Sequence, residues 1–168
     1  MSSLAKNNLI NLLFIIGIFF VDRLTKFYIL NLSENGAEVD FYVFSFLNIY
    51  LIWNKGVGFG LFSFDSQLFY HITSFIIVLI ILYLIYLFFY QSRIRKYFIS
   101  SIIGGALGNL FDRFAYFAVP DFFDLHYNDY HWFVFNLADI FITLGLICLI
   151  FAEFVFKNQN KENYEKQI

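Results

Sequence analysis

The chain has 168 residues, of which 60% are hydrophobic and 14% charged, with a mean hydropathy of +0.67. So little charge cannot coat a water-facing surface, which excludes an ordinary soluble domain and points to lipid around one polytopic domain covering residues 1–168. A net charge of −2 leaves no basic footprint for nucleic acid, and a lone cysteine, Cys148, excludes an internal disulfide framework and any CxxC metal or redox motif.

The first apolar run covers residues 9–30. A spanning helix needs about 20 residues, within a range of about 17–25. No small-residue cleavage site follows this run and Asp22-Arg23 interrupts it, so it is expected to remain in the protein as a span. Asp22 and Lys26 are four apart and share a helix face. They are expected either to form an ion pair at the outer end of the helix or to support a site there.

Residues 31–69 form the first long connection. Residues 41–53 are rich in Phe, Tyr, Val and Ile, which predicts strands, and the alternating Gly56, Gly58 and Gly60 predict a turn or a close backbone approach. A small sheet at the membrane surface is expected in this loop.

Residues 70–90, without Asp, Glu, Lys or Arg, predict the second span, and residues 97–113 the third. Gly104 and Gly108 make a GxxxG spacing that lets helices approach closely. Asn109 lies three residues before Asp112 and four before Arg113, so the three are expected to cluster at the outer end. The connection 114–136 adds Asp121, Asp124 and Asp129, with Pro120 constraining the backbone before Asp121. Residues 137–156 predict the fourth span, with Asn136, Asp139 and Thr143 on one face and an apolar setting that desolvates Asp139. The tail beyond Lys157 is polar and expected to fray.

Only helices and closed barrels satisfy their backbone in lipid, and alternating barrel strands do not read as runs this long. The expected fold is therefore membrane all-α, with four transmembrane helices and a small extracytoplasmic sheet in the first outer loop. Lys6, Arg93, Arg95, Lys96, Lys157, Lys161 and Lys166 share one side, against Lys55 alone on the other. This places both termini in the cytoplasm and the loops 31–69 and 114–136 outside.

An ionisable residue at mid-bilayer costs about 2.5–3.5 kcal/mol on insertion scales, so it usually has a partner or a task. Several carboxylates gather at one membrane face here. Two that share a site do not both ionise readily, so one holds a proton while the other acts as base on a water, which is the chemistry of aspartyl proteolysis. Asp112, Asp121, Asp124 and Asp139 are all eligible. Proton-coupled transport also uses intramembrane carboxylates, and a structural scaffold would tolerate their loss. Cys148 is too deep and lacks a nearby His, no GxSG-type serine motif exists, and His126 and His131 beside Asp124 form only a weak metal-ligand spacing.

Four ordered blocks resemble lipoprotein signal peptidase, also called signal peptidase II. They are Asp22-Arg23-Leu24-Thr25-Lys26; Asn54-Lys55-Gly56-Val57-Gly58-Phe59-Gly60; Gly104 through Arg113 with Val119-Pro120-Asp121-Phe122; and Phe135-Asn136-Leu137-Ala138-Asp139. The resemblance implies a bacterial inner-membrane aspartyl peptidase with Asp121 and Asp139 as the catalytic pair. Asn54, Asn109, Asp112, Arg113, Asn136, Asp22 and Lys26 match residues that bind substrate or support the site. It implies no metal or organic cofactor. The implied partners are membrane lipid and a diacylglyceryl-modified prolipoprotein, cut just before its lipobox cysteine near the outer, periplasmic face. A cyclic peptide of the globomycin type is the implied inhibitor. Pro120 and Arg23 depart from the family pattern, standing where Val and Gln are common.

Overall fold

A computed structural model describes residues 2–36, 38–56, 67–128 and 130–165, without the side chains of Gln67, Phe69 and residues 156–165. Gly58, Gly60, Asp129 and Lys166, and the side chains of Lys157 and Lys161, lie outside the described residues.

The chain runs α1 (Ser3–Glu34), β1 (Asp40–Phe44), β2 (Leu47–Asn54), α2 (Gln67–Tyr90), α3 (Arg93–Tyr116), β3 (Val119–Tyr127), β4 (Tyr130–Phe135) and α4 (Leu137–Glu165). The four expected apolar runs all lie in helices. Three of them, within α1, α2 and α4, are long and apolar enough to cross a membrane. Their outward faces carry large exposed apolar side chains such as Phe20, Phe27, Phe75, Phe89 and Phe151, the surface that lipid covers. α3 is different because α1, α2 and α4 all pack on it. Enclosed by protein, it tolerates Ser100, Ser101, Asp112 and Arg113 in buried positions. The helix of α4 also continues to Glu165, where a frayed tail was expected.

Close helix approach rests on the glycines of α3. A Cβ on Gly104 would lie 2.9 Å from Cβ of Ile18, and one on Gly108 would lie 2.5 Å from a carboxylate oxygen of Asp22. The GxxxG spacing thus meets positions 18 and 22 of α1, which are also four apart. A core of Leu84, Phe88, Ile99, Ile102 and Ile103 joins α2 to α3.

The sheet is antiparallel in the order β1-β2-β3-β4. Its location corrects the expectation of a sheet confined to the first long loop. The connection 114–136 supplies half of it, with Ile52 opposite Asp121 and Trp53 opposite Pro120. Both segments are short and cannot bury a face alone, and pairing across about 70 residues is not encoded in local pattern. Pro120 fits because it stands near the start of β3, where a missing N–H is tolerated. Two-residue closure of the β3–β4 hairpin begins with Asn128 at φ 51°, a left-handed conformation Asn tolerates. Ile29, Val39 and Phe122 form a second buried cluster that seats the sheet on the end of α1.

Candidate active site

The sheet and the helix ends bring Asp121 and Asp139 into one cavity. Asp121 stands on β3 opposite Ile52 of β2, beside a register shift in the pairing of the two strands. Asp139 occupies the first turn of α4. Asn136 caps this helix: its Oδ1 accepts from the Asp139 N–H at 3.2 Å, and its own N–H donates to Asp139 Oδ2 at 3.1 Å. This reciprocal capping box fixes the Asp139 carboxylate against the helix N-terminus. The Asn136 amide then reaches Asp121, donating from Nδ2 to Oδ1 at 2.5 Å. One asparagine therefore touches both carboxylates.

The remaining oxygens are held by neutral amides too. Asn54 Nδ2 donates to Asp121 Oδ2 at 2.9 Å, and Asn109 Nδ2 donates to Asp139 Oδ1 at 2.8 Å. Asn54 is itself fixed by the Gly56 N–H, which donates to its Oδ1 at 2.8 Å. Asp121 is 1% exposed and Asp139 7%. Burial, and after it the neighbouring Asp139 carboxylate, push the Asp121 carboxyl up to about 7, against the opposing pull of the Asn54 and Asn136 hydrogen bonds.

Behind this pair lies a second group, the buried Asp22, Lys26 and Asp112 with the partly exposed Arg23. The Lys26 ammonium spends its three donors on Asp112 Oδ2 at 2.6 Å, Asn109 Oδ1 at 2.8 Å and Asp22 Oδ2 at 3.1 Å. Arg23 forks onto both oxygens of Asp112 at 2.5 and 2.8 Å and also reaches Asp22 at 2.8 Å. Asp22 in turn accepts the Ala138 N–H at 3.1 Å, satisfying another free donor of α4. The expected Asp22–Lys26 ion pair is present, and it also supports the site through Asn109. The central part played by Arg23 was not foreseen. Its partner is 89 positions away, and the sequence marks Arg23 only as a departure from the Gln common in the family.

Asn109, Asp112 and Arg113 do not form the single cluster expected of them. Asn109 and Asp112 meet through Lys26, whereas Arg113 turns toward α2. Its Nη2 donates to the Gly56 carbonyl, its guanidinium lies 5.3 Å from the Tyr70 ring centre, and the Tyr70 hydroxyl donates to its carbonyl at 2.8 Å. Arg113 Nη1 has no partner among the described residues. Asp124 stands apart, bonded to His131 at 2.7 Å in a hollow with Asp40, Asn48 and Tyr50. Among the described residues no three His, Cys, Asp or Glu side chains form a metal-binding group. Cys148 is half-buried within α4.

The cavity holds about 250 Å³. Asn54, Asn109, Arg113, Asp121 and Asp139 make its polar end, while Ile77, Ile80, Ile81, Leu84, Ile102 and Ile142 make apolar walls, with Thr143 beside Asp139 as its helix position predicts. Two carboxyls in one cavity, that of Asp121 raised toward neutral pH, beside apolar walls and an unbonded guanidinium nitrogen suit general acid–base attack of water on a peptide carbonyl.

Comparison with known proteins shows the family. Residues 14–155 match the family model described as signal peptidase (SPase) II. The chain is 50% identical over 160 residues to a lipoprotein signal peptidase of Pelagibacter ubique, covering 94% of this chain and 96% of that one. It is 40% identical over 158 residues to the lipoprotein signal peptidase of Rickettsia prowazekii, covering 90% and 80%. A bacterial membrane enzyme solved by the in meso method at 2.3 Å resolution superposes with a TM-score of 0.71 at 29% identity, covering 90% of each chain. The chain is a multi-pass membrane protein of the signal peptidase II family, the lipoprotein signal peptidases, which cleave signal peptides from prolipoproteins.

Proposed function

We propose that Asp121 and Asp139 are the catalytic pair that cleaves a diacylglyceryl-modified prolipoprotein just before its lipobox cysteine. The observation that carries this reading is that, of the four eligible carboxylates, these two alone line the cavity, and Asn136 bridges them. Asp112 has both oxygens committed to Arg23 and Lys26, and Asp124 faces a separate hollow.

In the mechanism the pair shares one proton and holds a water between its inner oxygens. One carboxylate takes a proton from the water as it attacks the scissile carbonyl, and the protonated partner donates to the developing oxyanion. The proton gained by the base then passes to the leaving amide nitrogen as the C–N bond breaks, and one hydroxyl of the tetrahedral intermediate returns its proton to the partner carboxylate as the carbonyl re-forms, so the pair regains its single proton. The two carboxyls titrate as a unit, so the acid and base labels belong to the pair. Arg113 Nη1 donates to a substrate carbonyl in the cavity, a task its fixed fork suits. Asn54, Asn109 and Asn136 orient the carboxylates without adding charge, and Asp22, Lys26 and Asp112 support them from behind.

The apolar walls take the signal-peptide side chains or the acyl chains of the modified cysteine. A cyclic peptide inhibitor of the globomycin type occupies the same cavity. All four helices, α3 included, cross the membrane as one domain. The end carrying Lys6, Arg93, Arg95 and Lys96 faces the cytoplasm with both termini, so the sheet and the pair lie at the periplasmic face. No cofactor takes part.

The test is complementation in cells lacking their own enzyme. Asp121→Asn and Asp139→Asn, each checked for normal membrane levels, should accumulate uncleaved lipid-modified precursor. Maturation at the normal rate by either variant would overturn this assignment.

A further inference from the structure

At the end of the bundle remote from the carboxylate pair, a lysine is buried without a counter-ion. Lys96, in the first turn of α3, is 5% exposed. Its Nζ donates to Asn8 Oδ1 at 3.1 Å and stands 4.8 Å from the centre of the Phe88 ring. Both partners are neutral, and no carboxylate lies within ion-pair distance of it among the described residues. The neighbouring Arg95 takes Glu153 at 3.0 Å. Asn11 and Ser100, one turn further in, are neutral as well: Ser100 donates to Asn11 Oδ1, and Asn11 Nδ2 donates to the Asn7 carbonyl.

The same two partners of Lys96 open onto a groove. Asn8 and Phe88 line a hollow of about 360 Å³ with Leu12, Ile15, Phe89 and Ile103. α1 and α2 each pack on α3, which forms the floor between them. From Asn8 to Ile15 the groove runs seven helical residues, about 10 Å along the bundle. A buried cation in a membrane protein ordinarily pairs with an anion or marks a binding site. Here a positive charge stands directly behind the wall of an apolar trough, held by the two lining residues Asn8 and Phe88, and Lys6 and Arg93 add exposed positive charge at the same end.

We propose that this groove binds one anionic phospholipid, its phosphate drawn to Lys96 and Asn8 and an acyl chain laid along Leu12, Ile15 and Phe89. Charge complementarity selects the lipid class, since a zwitterionic headgroup leaves the lysine less well compensated.

The test uses the full chain, purified in detergent and examined by native mass spectrometry. Phosphatidylglycerol or phosphatidylcholine with identical acyl chains is added to separate samples. Retention of one phosphatidylglycerol with a preference of roughly fivefold or more over phosphatidylcholine is expected, the scale of one well-placed lysine. Lys96→Gln should abolish the preference, while Arg93→Gln, which removes an exposed cation at the same end, should keep it. Leu12→Trp, which fills the trough and leaves the charge in place, should lower retention of both lipids. Glycerol phosphate in excess should not displace the bound lipid. Equal retention of the two lipids, an unchanged preference in Lys96→Gln, an equal loss in Arg93→Gln or displacement by glycerol phosphate would overturn the proposal.

Discussion

Two pairs of buried aspartates stand at the same end of the bundle and are held in opposite ways. Asp22 and Asp112 face an arginine and a lysine, so the group of four is neutral and every carboxylate oxygen meets a donor. Among the described residues, Asp121 and Asp139 accept only from asparagine amides and a backbone N–H. Neutral donors orient a carboxylate without cancelling its charge. The first pair is therefore neutralised by the cations bonded to it. The second remains free to hold one proton between two groups, the state that hydrolysis needs. Residue type and burial are the same in both, and the charge of the neighbours makes the difference.

The first way to break the comparison is to unbalance the closed group. Asp112→Asn leaves Arg23 and Lys26 short of a buried counter-charge, and a loss of about 3–5 kcal/mol of stability is expected by denaturation in micelles. Turnover per folded molecule should survive in part, because Asp112 does not touch the cavity. Ablation of turnover with unchanged stability would place Asp112 on the other side of the divide.

A smaller effect is expected where the two groups meet. Asn109→Leu removes the donor to Asp139 and the acceptor for Lys26 at once. Leaving a buried carboxylate oxygen without its partner costs about 1–3 kcal/mol, so kcat is expected to fall about tenfold to a hundredfold. KM should change little, a split that separates positioning from substrate binding. Gly108→Ala probes the same seam sterically. Its Cβ meets Asp22 at 2.5 Å, and a stability loss of about 1–3 kcal/mol is expected from the thermal midpoint.

The gentlest probe is pH. With the Asp121 carboxyl raised from 3.8 to about 7, the pair holds its proton below that value and loses it above. The rate constant kcat/KM is expected to fall as pH rises through about 7. The sign for stability is the same. The folded state binds more protons than the unfolded chain between about 4 and 7, so this group's contribution declines as pH rises across that window. A rate that climbs through pH 7 to 9 would contradict the shared proton.

Much of this was legible in the sequence. The four apolar runs show their length and uninterrupted hydropathy locally, and the GxxxG of α3 announces a close approach that Gly104 and Gly108 make. The capping box is legible as Asn136 and Asp139 three apart. The pairing of β2 with β3 was not, because antiparallel register between distant segments leaves no local mark. The same holds for Asp112 and Arg113. Adjacent residues on a helix point about 100° apart, so one meets α1 and the other α2, and only the packing of three helices around α3 decides which. Physical reading left four aspartates eligible, and the family blocks singled out Asp121 and Asp139.

The proposed catalytic role of the amide-held pair separates it from the charge-balanced group. Its most direct test is kcat/KM for a lipid-modified prolipoprotein with purified Asp121→Asn, Asp139→Asn, the double variant and Asp112→Asn, at a temperature where all remain folded. Each single replacement in the pair is expected to lower kcat/KM by about 10⁴-fold, the double variant to fall no further, and Asp112→Asn to retain measurable turnover. Cleavage near the unmodified rate by either single variant of the pair would contradict it.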